Sequence, residues 1–139
     1  MSTPFEGHCA TAIAIFTEGW NQGEFARLRP AFAPSFDFHV HGDARTMTLA
    51  DLERIVASWR QAFPDLRFEL HEVAEDADLV AVRATLIGTN LGPWRGRAPT
   101  GATIAVDHMF MLRFEDGTLV EVWEVLDSAE LERQLGSAG

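Results

Sequence analysis

With 139 residues the chain is sized for one domain, spanning 1–139, around a single core that buries roughly two-thirds of the surface its unfolded form exposes. A composition of 47% apolar and 23% charged residues is that of a folded globular protein, and a net charge of −10 repels phosphate backbones and anionic bilayers, so neither nucleic acid nor membrane is an expected partner. All eleven basic residues are Arg and Tyr is missing, which excludes chemistry through a Lys Schiff base, a pyridoxal or P-loop Lys, or a Tyr phenol at an oxyanion.

The N-terminus lacks a basic start followed by an apolar run, so no secretory leader is expected, and no stretch approaches the ~20 apolar residues of a spanning helix. Cys9, Ala12, Ile13, Phe16 and Trp20 recur at spacings of three and four and predict a first helix, ended by Asn21-Gln22-Gly23. Cys9 is the single cysteine, so no internal disulfide forms, which fits a reducing, cytoplasmic compartment. His8, near the helix start, is expected on the surface. A second short helix follows from Glu24 to about Arg29, with Pro30 and Pro34 bracketing its exit. Phe36, Phe38 and Val40 then alternate with Asp37, His39 and His41, the pattern of a half-buried strand. Thr48 with Asp51 three residues on resembles a capping box. It opens a third helix whose apolar stripe is Leu52, Ile55, Val56, Trp59 and Phe63, stopped by Pro64-Asp65.

Beyond Pro64 the period changes to two. Leu66, Phe68 and Leu70 face one way, Arg67, Glu69 and His71 the other, and a turn around Glu75-Asp76 leads into a strand over Leu79–Gly88. Gly88 to Gly101 holds four glycines and two prolines and predicts a long ordered loop at the mouth of a pocket. Strands over about Ala102–Phe114 and Thr118–Leu126, joined at Glu115-Asp116-Gly117, and a short helix near Ser128–Leu135 close the chain. The order predicts an α+β fold, a strongly bent and mainly antiparallel sheet covered by three helices of the N-terminal half, leaving a cone-shaped interior.

Two ionisable residues interrupt apolar stripes. His108 is the one polar member of Ile104, Val106, His108, Phe110, Leu112 and Phe114, and Glu124 the one in Val120, Val122, Glu124 and Leu126. A three-residue loop Glu115-Asp116-Gly117 with Gly in the bulge position sets His108 directly opposite Glu124. A two-residue Asp-Gly turn would instead put Glu121 and Trp123 on the His108 face. The bulged loop is preferred because it keeps the apolar set on one surface. A carboxylate and an imidazole paired inside an apolar pocket can move protons, and a Glu is rarely buried without a partner or a task.

Other polar residues read as structural. His39 and His41, two apart on a strand, have metal-pair spacing, but Phe36, Phe38 and Val40 take the core side and leave both outside, so no metal site is expected. Alternation places Arg83 outside as well, where it can pair with Glu69 across the strands; inside, it would be an oxyanion holder. Met109, Met111, Trp123 and Val125 form an apolar outer face that a homodimer would cover.

Trp20-Asn21-Gln22-Gly23, Ala62-Phe63-Pro64-Asp65-Leu66, the loop from Gly88-Thr89 to Ala98-Pro99-Thr100-Gly101, and Arg113-Phe114-Glu115-Asp116-Gly117 followed by Glu121-Val122-Trp123 and Asp127 resemble the SnoaL-like polyketide cyclase family. The resemblance runs over nearly the whole chain and implies the nuclear transport factor 2-like cone. In polyketide cyclases of this family a carboxylate on the last strand serves as acid and base in an intramolecular aldol condensation, without metal or Schiff base. Glu124 matches that position, one methylene longer than the family's Asp. Two positions that carry His in those cyclases match Phe110 and Val122, and His108 replaces an amide.

The expected function is a cofactor-independent, cyclase-like condensation of a hydrophobic polycyclic or aromatic ketone. Glu124 would remove a proton beside the carbonyl, and His108 would orient it or protonate the new alkoxide. Phe16, Trp20, Phe38, Trp59, Phe110 and Val122 would wall the substrate. The rivals are an epoxide hydrolase or ketone isomerase on the same fold, and a non-catalytic ligand-binding or dimer-forming module, which would have a small or collapsed cavity.

Overall fold

The computed structural model describes residues 7–136. The first helix, α1, runs over Gly7–Ala14 and then widens into a π-helix, Ile15–Trp20. The looser winding turns Ile15, Phe16, Gly19 and Trp20 into the core together. Ile13, expected on the buried face, is 39% exposed as a result. Gly19 accepts the ring of Phe25 so closely that a Cβ would lie 2.7 Å from it.

The Trp20-Asn21 corner is pinned from two sides. Asn21 bonds Phe68 like a strand neighbour, its Oδ1 accepting from the Phe68 N–H at 2.6 Å and its Nδ2 donating to the Phe68 carbonyl at 3.1 Å. Arg60 donates to the carbonyls of Trp20, Asn21 and Leu66. One guanidinium thereby satisfies carbonyls that the end of the π-helix would otherwise leave open.

A 3-10 turn, Ala26–Ala31, with Pro30 inside it, lies slightly later than the predicted second helix. Strand β1 is Phe32–Val40 and β2 is Asp43–Met47. The sequence did not reveal β2, because four of its five residues are exposed and no apolar alternation marks it. Helix α2, Leu49–Ala62, begins at a complete capping box: Thr48 Oγ1 accepts from the Asp51 N–H, and Asp51 Oδ2 accepts from the Thr48 N–H at 2.9 Å. These bonds, the backbone one foremost, with Arg54 beside them, hold the Asp51 carboxyl below its usual range. Thr48→Ala is expected to destabilise the fold by about 1 kcal/mol, read as a lowered denaturation midpoint with an unchanged slope.

Strands β3 (Arg67–Asp76), β4 (Leu79–Thr89), β5 (Thr103–Glu115) and β6 (Thr118–Leu126) and helix α3 (Ser128–Leu135) complete the chain. The sheet order is β2-β1-β6-β5-β4-β3. Every pairing is antiparallel except β1 with β6. The α+β architecture, a mainly antiparallel sheet with helices packed on it, is therefore as expected, with a sixth strand and one parallel pair added. Register shifts interrupt β1, β3 and β6, and such bulges bend and twist a sheet.

The β5–β6 hairpin corrects the expected register. The turn is the two-residue form, Asp116-Gly117, with both φ values positive (51° and 80°), and Glu115 faces Thr118. Val120 then bulges out of the ladder between the pairs Phe114–Leu119 and Arg113–Glu121. Leu119, not Val120, joins the buried stripe. The bulge restores the alternation beyond it, so Val122 and Glu124 still share a face with Phe110 and Leu112.

The predicted glycine-rich loop is ordered by hydrogen bonds to a single buried amide. Buried Asn90 donates to the carbonyls of Ala62 and Gly92 and accepts from the Thr100 N–H. Trp94 lies in the core, its ring centroid 4.3 Å from that of Trp59. Among the described residues no helix is long and apolar enough to cross a membrane.

Candidate active site

His108 and Glu124 rise from adjacent strands on the face of the sheet that packs against the helices. Glu124 stands opposite Phe110 on β5 and Val40 on β1; His108 stands opposite Leu126 on β6 and Ala84 on β4. Their contact is thus diagonal rather than the direct pairing expected from the sequence. His108 Nε2 lies 3.2 Å from Glu124 Oε2.

His108 is almost fully buried, at 1% exposure, and the Glu124 side chain keeps 11%. The imidazole stacks on Phe110 (5.6 Å, 13°) and meets the edge of Phe68 (5.1 Å, 86°). Its Nδ1 donates to the Val106 carbonyl at 3.1 Å. That bond uses the Nδ1 proton and leaves Nε2 facing the carboxylate. Nε2 does not align with the carboxylate well enough for a hydrogen bond. A buried polar atom left in this state can take a hydrogen bond from, or give one to, an incoming oxygen.

Five of the six expected walls meet in one place. Phe16, Trp20, Phe38, Phe110 and Val122 line an interior cavity with Ile15, Phe36, Leu52, Leu112 and Leu119. The sixth, Trp59, does not border it; its ring packs instead on Trp20, Phe63 and Trp94. The cavity measures only about 20 Å3, room for a single water. Phe68 was legible as an inward residue of an alternating strand, but its contact with His108 was not, since that depends on how far the sheet curls.

The polar residues set aside in the sequence lie elsewhere. Arg83 points outward and pairs with Glu72 at 2.7 Å, not with Glu69, because a bulge between Leu70 and Glu72 shifts the register. His39 also faces outward, 2.8 Å from Glu121 and stacked on Trp123 (5.1 Å, 8°). His41 sits in a turn with φ at 52°. His8 is half-buried rather than on the surface, with its ring against Phe114 at 4.7 Å. No group of three or more His, Cys, Asp or Glu among the described residues is placed to hold a metal. Met109, Met111 and Val125 are exposed on the outer face at 58%, 41% and 64%.

The sequence profile of SnoaL-like polyketide cyclases matches residues 10–135. The chain belongs to the SnoaL-like polyketide cyclase family. Among solved structures, this SnoaL-like protein is similar to AclR of Streptomyces galilaeus, provisionally assigned as a hydroxylase, with 28% identity over 91% of this chain and 79% of that one and a TM-score of 0.78. It is similar to IdmH of Streptomyces antibioticus, provisionally assigned as a polyketide cyclase, with 26% identity over 91% and 96% and the same TM-score. A SnoaL-like protein of Jannaschia sp. CCS1, at 23% identity over 93% and 91%, superposes with a TM-score of 0.81 and shares the fold. No functionally curated protein matches the chain.

Proposed function

We propose that the protein is a cofactor-independent cyclase that closes a ring in a hydrophobic polycyclic or aromatic ketone by intramolecular aldol condensation. The observation that carries this is the Glu124–His108 contact, an acid and a base 3.2 Å apart on an otherwise apolar sheet face. Family membership supports a cyclase-type activity, and the absence of Lys from the sequence leaves an enolate, not an iminium, as the intermediate. Glu124 takes the proton from the carbon beside the donor carbonyl. The enolate carbon attacks the acceptor carbonyl, forming the new carbon–carbon bond. The protonated Glu124 returns this proton to the alkoxide, directly or relayed through His108 Nε2, so no net proton is consumed and the carboxylate is restored.

A pair of this kind should enolise a simpler ketone. The test is deuterium exchange at the α-carbon of 2-tetralone in D2O, followed by proton NMR. Exchange well above the buffer rate at equal pH is the expected result; a rate equal to buffer overturns the reading.

Arg83 on the outer face favours this reading over an epoxide hydrolase or isomerase, which would need a further polar group turned inward. A binding module without catalysis is favoured by one observation, the small interior cavity. Such a module would bind 2-tetralone without exchanging its protons. The outer face with Met109, Met111 and Val125 is proposed to pair with a second copy of the chain.

A further inference from the structure

The interior cavity is too small for a ring system, yet the same sheet face continues past it to an open groove. This groove, about 400 Å3, lies between the edge strand β2 and α2 and is bordered by Arg45, Met47, Ile55 and Ser58, with Asp51 and Arg54 at one end. Its volume falls in the range that small-molecule sites occupy.

The register decides what the groove adjoins. Arg45 is the cross-strand partner of Phe38 and Met47 that of Phe36, and both Phe residues line the interior cavity. Phe38 is in turn the partner of Val122, two residues before Glu124. Arg45 therefore projects from the face that carries Glu124. Two strand spacings, roughly 10 Å, separate it from the β6 line, within the span of a two- or three-ring molecule.

The charges in the groove are unequal. Asp51 is committed to the Thr48 cap and to Arg54, with which it forms an ion pair. Arg45 makes no hydrogen bond or ion pair with any described residue. An unpaired guanidinium above Met47 and beside half-buried Ile55 offers a planar fork to an anion and an apolar floor to the rings that carry it. In a chain of net charge −10 such a cation is a local exception to a field that repels anions.

We infer that the β2–α2 groove binds the anionic end, a carboxylate or phenolate, of an aromatic ligand, with Arg45 as its counter-ion. This rests on the cyclase reading only in treating the groove as the outer part of the same site. Dye binding tests it without turnover, so failure of the chemistry at Glu124 and failure of this inference are separable.

The probes are 1-anilinonaphthalene-8-sulfonate, which carries an anion on its rings, and the uncharged N-phenyl-1-naphthylamine. Arg45→Gln is expected to weaken the sulfonate about tenfold and to leave the neutral dye within twofold, while Arg45→Lys recovers part of the loss. Ser58→Trp, which fills the groove, is expected to displace both dyes. Equal weakening of the two dyes by Arg45→Gln, no weakening of either, or retention of both dyes by Ser58→Trp would overturn the inference.

Discussion

Glu124→Gln is expected to lower the rate of 2-tetralone exchange by a factor of about 10²–10⁴ while leaving the fold intact, the loss typical when a positioned general base is removed. Gln has the shape of Glu and reaches the same place beside His108, but it cannot accept a proton from carbon. The side chain is partly exposed and makes no hydrogen bond that the substitution would strand. Circular dichroism and the thermal midpoint should therefore stay close to the parent. His108→Phe is the companion variant. A phenyl ring can occupy the slot between Phe110 and Phe68, so the loss reports the missing proton partner rather than a cavity, and about tenfold is expected if His108 mainly orients Glu124. Exchange by Glu124→Gln within a few-fold of the parent would show that the base is another group.

Asn90→Ala should be the most damaging of the changes discussed for stability, by about 3 kcal/mol, seen as a thermal midpoint lowered by roughly 10 °C. Asn90 is 1% exposed, and its amide serves the Ala62 and Gly92 carbonyls and the Thr100 N–H at once. Alanine removes the side-chain donor to the buried Gly92 carbonyl and the acceptor of the Thr100 N–H, while the Ala62 carbonyl keeps the Leu91 and Gly92 N–H groups. It also frees the loop that carries Trp94 against Trp59 and Phe63. A further close contact leaves little room for repair, since a Cβ on Gly92 would stand 2.1 Å from the Gln61 carbonyl oxygen. A drop of only one or two degrees would mean that the loop is held by its aromatic packing alone.

The face on which His108 and Glu124 lie was legible because strand side chains alternate strictly, and one ionisable residue in each apolar stripe stands out. Their exact pairing was not. Leu119 and Val120 are both apolar, so nothing in the sequence says which one leaves the ladder. Alternation likewise placed Arg83 outside, whereas its partner depended on a bulge near His71 that has no composition signal. The first helix was legible as a helix, but Ile13, Phe16 and Trp20 all satisfy the α period, and nothing in that spacing marks the change to a π-helix at Ile15. Arg45 was missed with β2, a polar edge strand. The size of the cavity lay beyond any pattern argument, because volume is set by how rings from several elements interlock.

The bulge at Val120 also bears on how chains of this shape can change length. Val120 has no partner on β5, so a sequence lacking it would run Leu119 directly into Glu121 and still set Glu124 opposite Phe110. One residue can thus be gained or lost beside the turn without inverting the acid. The same edit beyond the bulge, between Glu121 and Glu124, would flip the carboxylate to the outer face. Tolerance to insertion and deletion in this hairpin is therefore concentrated at a single position, four residues before the group whose orientation it protects.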